Sequence, residues 1–353
     1  MGLIKWLFGR RRRSAKQPEQ THGIQDEPVP GMAAESWRAF GASIRGASHE
    51  RSGLPNQDAI AWWPPPGAGL PLCLAVADGH GSAASFRSDT GSRLAVETAI
   101  EVLRELIDGW QPAGDLSAAK RAVEDELPRA LVQRWRRAVQ LHADTHPIQE
   151  GELSRLEEHE RAKWAARQED PLSAYGSTLL AVVIHESFLA CLQLGDGDIL
   201  VVTQTGQTGR PVADDPRLFA NETTSLSGEE AWRDVRSHFQ VFSHTPPSLV
   251  LACTDGYANS FKSDEGFLRV GADVWDLLSS EGLEHVKENL PLWLEEASRQ
   301  GSGDDVTAGV LCCTGALKSS SDPPGDPGED EGTADAVKPA SCDRQLEPKG
   351  RDV

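Results

Sequence analysis

Several short apolar runs in this sequence meet an aspartate beside a glycine-containing turn, and this feature restricts the fold more than any other. Asp78 follows LCLAVA, Asp196 follows ACLQLG, and Asp255 follows LVLACT. Asp58 and Asp304 stand just before the runs AIAWW and VTAGVL. Short apolar runs bounded by turns predict buried β-strands. The sequence therefore predicts a sheet-containing domain with acidic groups at its strand ends.

These aspartates also predict a site. A carboxylate at a strand end is held rigidly, and a neighbouring glycine lets a ligand or another backbone approach closely. Several of them at one sheet edge would form an oxygen-only site of the kind that Mg²⁺ or Mn²⁺ prefers. A single Asp-Gly pair is better explained as ordinary turn chemistry. Five acidic strand ends in one domain, with His80 close to Asp78, favour a site, although they leave the reaction open.

Composition excludes several classes of protein. The chain has 353 residues, 39% of them hydrophobic, and a formal net charge of -19. This acidic balance argues against a nucleic acid as partner. The six cysteines form no CxxC pair, a pattern of reduced buried thiols that predicts a cytoplasmic protein. No apolar stretch approaches the roughly 20 residues of a membrane-spanning helix.

Composition also divides the chain. Residues 1–35 are predicted to be a disordered basic and polar segment, residues 36–314 a catalytic domain, and residues 315–353 a disordered acidic tail rich in Pro, Gly and Ser. Within residues 1–16, apolar side chains precede four consecutive arginines. This order fits either a plain disordered tail or a weak contact with an anionic membrane surface, which would make the protein peripheral there.

Periodicity predicts the main elements of the domain. Helical spacing covers residues 93–107, residues 117–141 with a bend near Pro128, and residues 283–300. Strands are expected at residues 177–184, 188–194 and 199–203, with a hairpin-like turn at residues 195–198. A short helix is expected around residues 229–236.

An ordered set of motifs resembles the metal-dependent protein phosphatases, which are the type 2C serine/threonine phosphatases, and in particular a compact bacterial branch. The motifs are Gly53-Leu54-Pro55-Asn56-Gln57-Asp58-Ala59, Ala77-Asp78-Gly79-His80-Gly81, Gly176-Ser177-Thr178, Gly195-Asp196, Thr254-Asp255-Gly256 and Gly303-Asp304-Asp305-Val306-Thr307. The resemblance implies an α+β fold, an α-β-β-α sandwich of two antiparallel sheets flanked by helices, with the site in a cleft at one end.

The resemblance also implies roles for single residues. Asp78 corresponds to the carboxylate that bridges two metal ions, and the Gly79 carbonyl is a further ligand. Asp255 and Asp304 correspond to ligands of the other ion, and Asp58 reaches the metals directly or through water. Asp196 corresponds to a ligand of a weaker third ion. His80 corresponds to the general acid that protonates the leaving oxygen. The implied cofactors are two Mn²⁺ or Mg²⁺ ions.

The chain departs from the family pattern in ways that affect phosphate binding. Gly53 stands where many members carry the arginine that holds the substrate phosphate, so Arg51 or His49 is the candidate replacement. Gln57 stands in place of a common glutamate, and Asp305 in place of a common asparagine.

Two functions remain open at this point. The first is a monomeric enzyme that hydrolyses phosphoserine and phosphothreonine in proteins. The second is a catalytically weak relative that binds phosphoproteins or regulates a cognate kinase. The sequence contains no phosphate-binding loop of the kinase or nucleotide hydrolase type and no GxSxG elbow. Retention of every candidate metal aspartate favours the enzyme.

Overall fold

The apolar runs form two antiparallel sheets in the computed structural model, which describes residues 34–109, 115–154, 156–166, 170–213, 215, 223–242 and 246–317. The strands are β1 (Trp37–Ile44), β2 (Ala59–Trp63), β3 (Leu72–Ala77), β4 (Leu179–Ile184), β5 (Phe188–Leu194), β6 (Asp198–Val202), β7 (Thr208–Gly209), β8 (Arg236–Val241), β9 (Leu249–Cys253) and β10 (Val306–Cys313). The first sheet has the order β1-β10-β9-β6-β7, and the second has the order β2-β3-β4-β5-β8.

Helices cover the outer faces of the sheets. They are α1 (Ala47–Ser52), α2 (Ser88–Asp108), α3 (Leu116–Arg121), α4 (Leu127–Thr145), α5 (Glu150–Leu153), α6 (Glu158–Ala166), α7 (Asp255–Ala258), α8 (Asp264–Glu281), α9 (Leu283–Gln300) and α10 (Thr314–Leu317). Helices α2 and α4 pack on the second sheet, and α8 and α9 pack on the first. The predicted α-β-β-α sandwich is confirmed.

Strand β3 shows why its sequence is apolar at every position. Cys73, Ala75 and Ala77 pack under the helices of the second sheet. Leu74 and Val76 point the other way and pack against the first sheet. Because successive side chains of a strand face opposite sides, a strand in the middle of four layers needs apolar residues on both faces.

The predicted hairpin at residues 195–198 is wrong. Strand β5 lies in the second sheet and β6 lies in the first, so this turn carries the chain from one sheet to the other. Gly195 has a φ of 98° there, a backbone conformation that suits glycine. A glycine-rich turn has the same local sequence whether the next strand pairs beside the last one or crosses over.

The predicted helix around residues 229–236 is also wrong. A single 3₁₀ turn, Ala231–Arg233, is present, and Arg236 begins β8 at the edge of the second sheet. The predicted bent helix at residues 117–141 is divided into α3, a π-helical segment (Ala122–Glu126) and α4, with Pro128 in the first turn of α4. Proline has no backbone NH to donate, and the change to π-helical hydrogen bonding occurs just before it.

The described cysteines are buried free thiols, as predicted: Cys73, Cys191, Cys253, Cys312 and Cys313. None of the described helices combines the length and apolar character needed to cross a bilayer. The membrane contact proposed for residues 1–16 and the tail at residues 318–353 lie outside the described residues. The domain boundaries after residues 35 and 314 stay predictions.

Candidate active site

The candidate aspartates come from both sheets and meet at one end of the sandwich. Asp58 directly precedes β2, and Asp78 directly follows its neighbour β3, where Ala59 pairs with Ala77. Asp255 follows β9, and Asp304 precedes the antiparallel β10. Antiparallel pairing places the end of one strand beside the start of the next, so each pair of carboxylates shares a sheet end.

A cavity of about 850 Å³ opens at this end, and four of the predicted carboxylates line it: Asp78, Asp196, Asp255 and Asp304. His80 lines the same cavity. This volume falls in the usual range of about 300–1,000 Å³ for ligand sites. The residues that the sequence assigns to one site are therefore brought together in one concave space.

Asp58 lies just below the lining, 9% exposed. Its Oδ2 accepts a hydrogen bond of 2.8 Å from Thr254 Oγ1, so the residue before Asp255 holds it. The backbone NH of Gly79 donates to the carbonyl oxygen of Gln57 at 3.0 Å. A Cβ at position 79 would lie 2.6 Å from that oxygen, so this close approach requires glycine. Asp58 and Asp78 are thereby fixed as neighbours.

The electrostatics of the cavity favour a bound cation. Burial, and next the charges of neighbouring aspartates, raises the pKa of Asp78 well above its usual value. Burial likewise raises the pKa of Asp58 and of Asp255, and the charges of neighbouring aspartates are a further cause for both. Buried carboxylates in such proximity need protons or positive charge between them. An oxygen-only donor set of this kind fits Mg²⁺ or Mn²⁺.

The outer members of the cluster are better solvated. Asp196 is exposed, and its Oδ1 accepts a hydrogen bond of 2.9 Å from Thr223 Oγ1. The side chain of Asp304 is 54% exposed, and its Oδ1 accepts from the backbone NH of Asp305 at 2.8 Å. The cavity therefore has a buried carboxylate floor and a wetter acidic rim.

His80 is held against the wall of the cavity. Its backbone NH donates to the carbonyl oxygen of Gly176 at 3.0 Å, and a Cβ at position 176 would lie 2.6 Å from the imidazole Cδ2. Burial lowers the pKa of His80, and the charge of Asp196 opposes that change. A lowered pKa makes the imidazolium a stronger acid, which suits a group that gives its proton to a leaving oxygen.

The two residues predicted to replace the missing phosphate arginine lie on α1, outside the residues that line the cavity. His49 turns inward, with Nδ1 2.9 Å from Oδ2 of Asp305 and Nε2 4.0 Å from Oδ1 of Asp304. Arg51 is exposed. Their role in phosphate binding stays a prediction.

Asp305 is a positioning residue that sequence reasoning did not assign. It is 4% exposed, and its two oxygens accept hydrogen bonds from the backbone NH groups of Gly46 at 2.5 Å and Gln57 at 2.6 Å. It therefore ties the segments before α1 and before Asp58 to the segment that carries Asp304. In the sequence, Asp305 is visible only as a second acid directly after Asp304, and that spacing does not reveal that its carboxylate is a buried acceptor.

Two positively charged side chains of the cavity, those of Arg210 and Lys262, were also not identified from the sequence. Arg210 forms ion pairs with Asp198 and, at 2.5 Å, with Asp264. Lys262 lies in the loop between α7 and α8 and forms no ion pair with any described residue. A cation without a carboxylate partner beside an acidic floor is available to meet an anionic substrate.

One family model matches most of this chain. The family model described as protein phosphatase 2C matches residues 45–295, which include Asp58, Asp78, Asp196 and Asp255 and end before Asp304. No curated protein sequence matches the chain.

Solved structures with a similar fold are bacterial serine/threonine phosphatases. The catalytic domain of PstP in complex with 2 manganese ions is 22% identical, covers 78% of this chain and 97% of its own, and has a TM-score of 0.46. PppA of Pseudomonas aeruginosa, a key regulatory component of T6SS, is 22% identical, covers 79% of this chain and 99% of its own, and has a TM-score of 0.47. Stp1 of Staphylococcus aureus is 14% identical, covers 83% of this chain and 99% of its own, and has a TM-score of 0.48.

Proposed function

Because the chain belongs to the protein phosphatase 2C family, we propose that it hydrolyses phosphoserine and phosphothreonine in proteins by a metal-dependent mechanism. Membership of this family confirms the prediction of a protein phosphatase, a phosphoric monoester hydrolase. One observation supports the metal-dependent mechanism most: carboxylates from both sheets meet in one cavity, and burial raises the pKa of two of them, Asp78 and Asp255, and of the neighbouring Asp58.

The proposed cofactors are two Mn²⁺ or Mg²⁺ ions, with a weaker third ion near Asp196. Asp78 and Asp255 supply half-buried oxygens, Asp304 lines the same cavity with a more exposed side chain, and Asp58 is buried beside the lining. Bound at such a site, divalent ions lower the pKa of a water molecule and neutralise the phosphoryl oxygens. The PstP structure contains 2 manganese ions, which is an independent reason to test Mn²⁺ first.

His80 is proposed to act on the leaving group. An alkoxide is a poor leaving group, so the seryl or threonyl oxygen needs a proton as its bond to phosphorus breaks. The imidazole lines the cavity that holds Asp78 and Asp255, so it shares the space in which a phosphorylated substrate would bind. General acid catalysis of this kind is worth roughly 10²–10⁴-fold in rate.

A second function, phosphoprotein binding without efficient turnover, is favoured by one observation. Gly53 provides no side chain for phosphate, and Arg210 is engaged by Asp198 and Asp264. The cavity therefore depends on Lys262 for an unpaired positive charge among the described residues. A cognate kinase, a monomeric state and contact with a membrane surface remain predictions.

The purified chain should hydrolyse p-nitrophenyl phosphate and a phosphothreonine peptide in the presence of Mn²⁺. EDTA should abolish both activities, and added Mn²⁺ should restore them. Phosphate release and peptide binding are measured side by side. Binding of the phosphopeptide with no phosphate release at saturating Mn²⁺ or Mg²⁺ would reject the enzyme and support the binding function.

A further inference from the structure

A second, smaller cavity lies beside the active-site cavity. It has a volume of about 240 Å³ and is lined by residues of the loop after His80, of the segment before Gly176, and of α6 with the chain leading into it. We call it the side cavity. Its apolar lining comes from Ala84, Leu156 and Trp164, and its polar lining includes Ser82 and Ser173.

Ser82 lines both cavities, so the side cavity adjoins the candidate active site. The residue follows His80 by two positions, in the loop that leads from the proposed general acid to the 3₁₀ turn Ala83–Ser85. Because Ser82 and Asp78 line the same cavity, a polypeptide substrate bound there can contact this loop. The side cavity is therefore within reach of residues that flank the phosphoamino acid.

The apolar wall of the side cavity is already formed. Trp164 is 7% exposed and Leu156 is 5% exposed, so neither has to leave water when a ligand arrives. The ring of Trp164 packs against Phe86 with 5.6 Å between their centroids, which limits its motion. A preformed apolar wall binds a side chain at a lower entropic cost than a mobile one.

The floor of the side cavity is connected to His80. Ser82 Oγ donates to Ser85 Oγ at 3.2 Å, and Ser85 Oγ donates to the carbonyl oxygen of Ser173 at 3.2 Å. Gly176 fits between Ser85 and His80, since a Cβ there would lie 3.0 Å from Ser85 Oγ and 2.6 Å from the imidazole. A ligand in the side cavity therefore contacts Ser82 and Ser173, which are linked through Ser85 and Gly176 to the proposed general acid, His80.

Size and chemistry select the occupant. A volume of about 240 Å³ is below the usual range of about 300–1,000 Å³ for whole small-molecule ligands, but it accommodates one large side chain. Among the residues that the structure describes, the charged ones of the lining are Glu160 and Lys163, which have opposite signs and so give no net preference for a charged group. The aromatic and aliphatic wall favours an uncharged apolar side chain.

We propose that the side cavity is a substrate subsite that binds a large apolar side chain near the phosphoserine or phosphothreonine of the target protein. This inference rests on the proposed phosphatase function. It assigns a role to α6 and the chain before it, which contribute nothing to the carboxylate cluster. It also names the substrate class: phosphorylated segments with a leucine-sized or aromatic residue close to the phosphorylated position.

The test compares phosphothreonine peptides that differ in one residue. The reference peptide has alanine at the two positions on each side of the phosphothreonine, and each variant peptide has leucine at one of them. With Mn²⁺, kcat/KM should be about tenfold higher for leucine at one position, the size expected for filling an apolar pocket. Ala84→Leu fills the side cavity and should bring that ratio close to one. Ala83→Leu, in the same 3₁₀ turn but exposed and outside the lining, should keep the wild-type ratio.

Three other results would each reject the subsite, the phosphatase function or the assigned occupant. If the wild type hydrolyses p-nitrophenyl phosphate but shows no leucine preference at any position, the subsite is rejected and the phosphatase function stands. If the wild type hydrolyses neither substrate, the proposed function is rejected and the subsite with it. If Ala84→Leu raises the rate on every peptide equally, the occupant is a segment of the chain itself and the substrate assignment is rejected.

Discussion

At the scale of single residues, the candidate site combines groups that would not share a space without positive charge. Asp78 and Asp255 line the same cavity, and Asp58 lies buried beside it. The pKa of each is raised, first by burial and then by neighbouring charge in the case of Asp78. Folding therefore places these groups where they cost stability, a cost that a metal-binding function explains.

Replacing a carboxylate of this cluster should abolish activity without unfolding the protein. Asp78→Ala, Asp255→Ala and Asp304→Ala should each retain less than about one hundredth of wild-type turnover, since changes to groups that merely support metal ligands already cost roughly 10–100-fold. Steady-state kinetics at saturating Mn²⁺ measures the effect. Asp108→Ala, an exposed acid at the end of α2, is the control. Wild-type turnover in any of the three would show that the site is assigned wrongly.

His80→Ala should separate acid catalysis from metal binding. Turnover of a phosphopeptide should fall by roughly 10²–10⁴-fold, because its leaving alkoxide needs a proton. Turnover of p-nitrophenyl phosphate should fall much less, since nitrophenolate leaves readily without one. Calorimetric titration with Mn²⁺ should give nearly the wild-type affinity. Equal losses on both substrates, or a loss of metal affinity, would exclude His80 as the general acid.

Lys262 should act on binding of the phosphorylated substrate. Lys262→Met should raise KM about tenfold with a smaller change in kcat, because a hydrogen bond to a charged group contributes about 1.5–3 kcal/mol. Lys262→Arg should keep KM near that of the wild type, since it retains the charge. The control is Lys287→Met on α9, where the lysine pairs with Glu284 at 3.7 Å on the surface. An unchanged KM in Lys262→Met would return the phosphate role to Arg51 or His49.

At the scale of elements, the site depends on loops that one buried acid holds together. Asp305 joins the start of α1 and the approach to β2 to the start of β10. The sequence predicted the strands on which this arrangement rests, because their apolar runs are nearly continuous. It did not predict Asp305 as a connector, because an acceptor for two distant backbone NH groups leaves no periodic signal.

Removal of this acceptor should destabilise the fold. Asp305→Ala leaves two buried NH groups, those of Gly46 and Gln57, without their partner, and each unsatisfied group costs about 1–3 kcal/mol. The free energy of unfolding in urea should therefore fall by roughly 2–5 kcal/mol. Asp305→Asn keeps one carbonyl oxygen and should lose clearly less. Equal stability of Asp305→Ala and the wild type would show that water replaces the carboxylate at no cost.

At the scale of the whole molecule, the site lies at one end of two sheets that pack face to face. Asp58 and Asp78 flank strands of the second sheet, Asp255 and Asp304 flank strands of the first, and Asp196 lies in the turn that connects the two sheets. The motifs predicted that these residues converge. They did not predict that the turn containing Asp196 crosses between the sheets, because its glycines permit either path. Nor did they locate the side cavity, since the polar sequence around α6 does not indicate what it packs against.

A cation held by carboxylates of both sheets should stabilise the whole molecule. Mn²⁺ at 100 times its Kd should contribute about 2.7 kcal/mol, which raises the thermal midpoint by roughly 5 °C for a domain of this size. Scanning calorimetry with EDTA and with Mn²⁺ measures the difference. Asp78→Asn removes one buried charge, so its midpoint in EDTA should be higher than that of the wild type, whereas its response to Mn²⁺ should be smaller. An equal midpoint of the wild type with and without Mn²⁺ would show that the five carboxylates meet without holding a metal between the sheets.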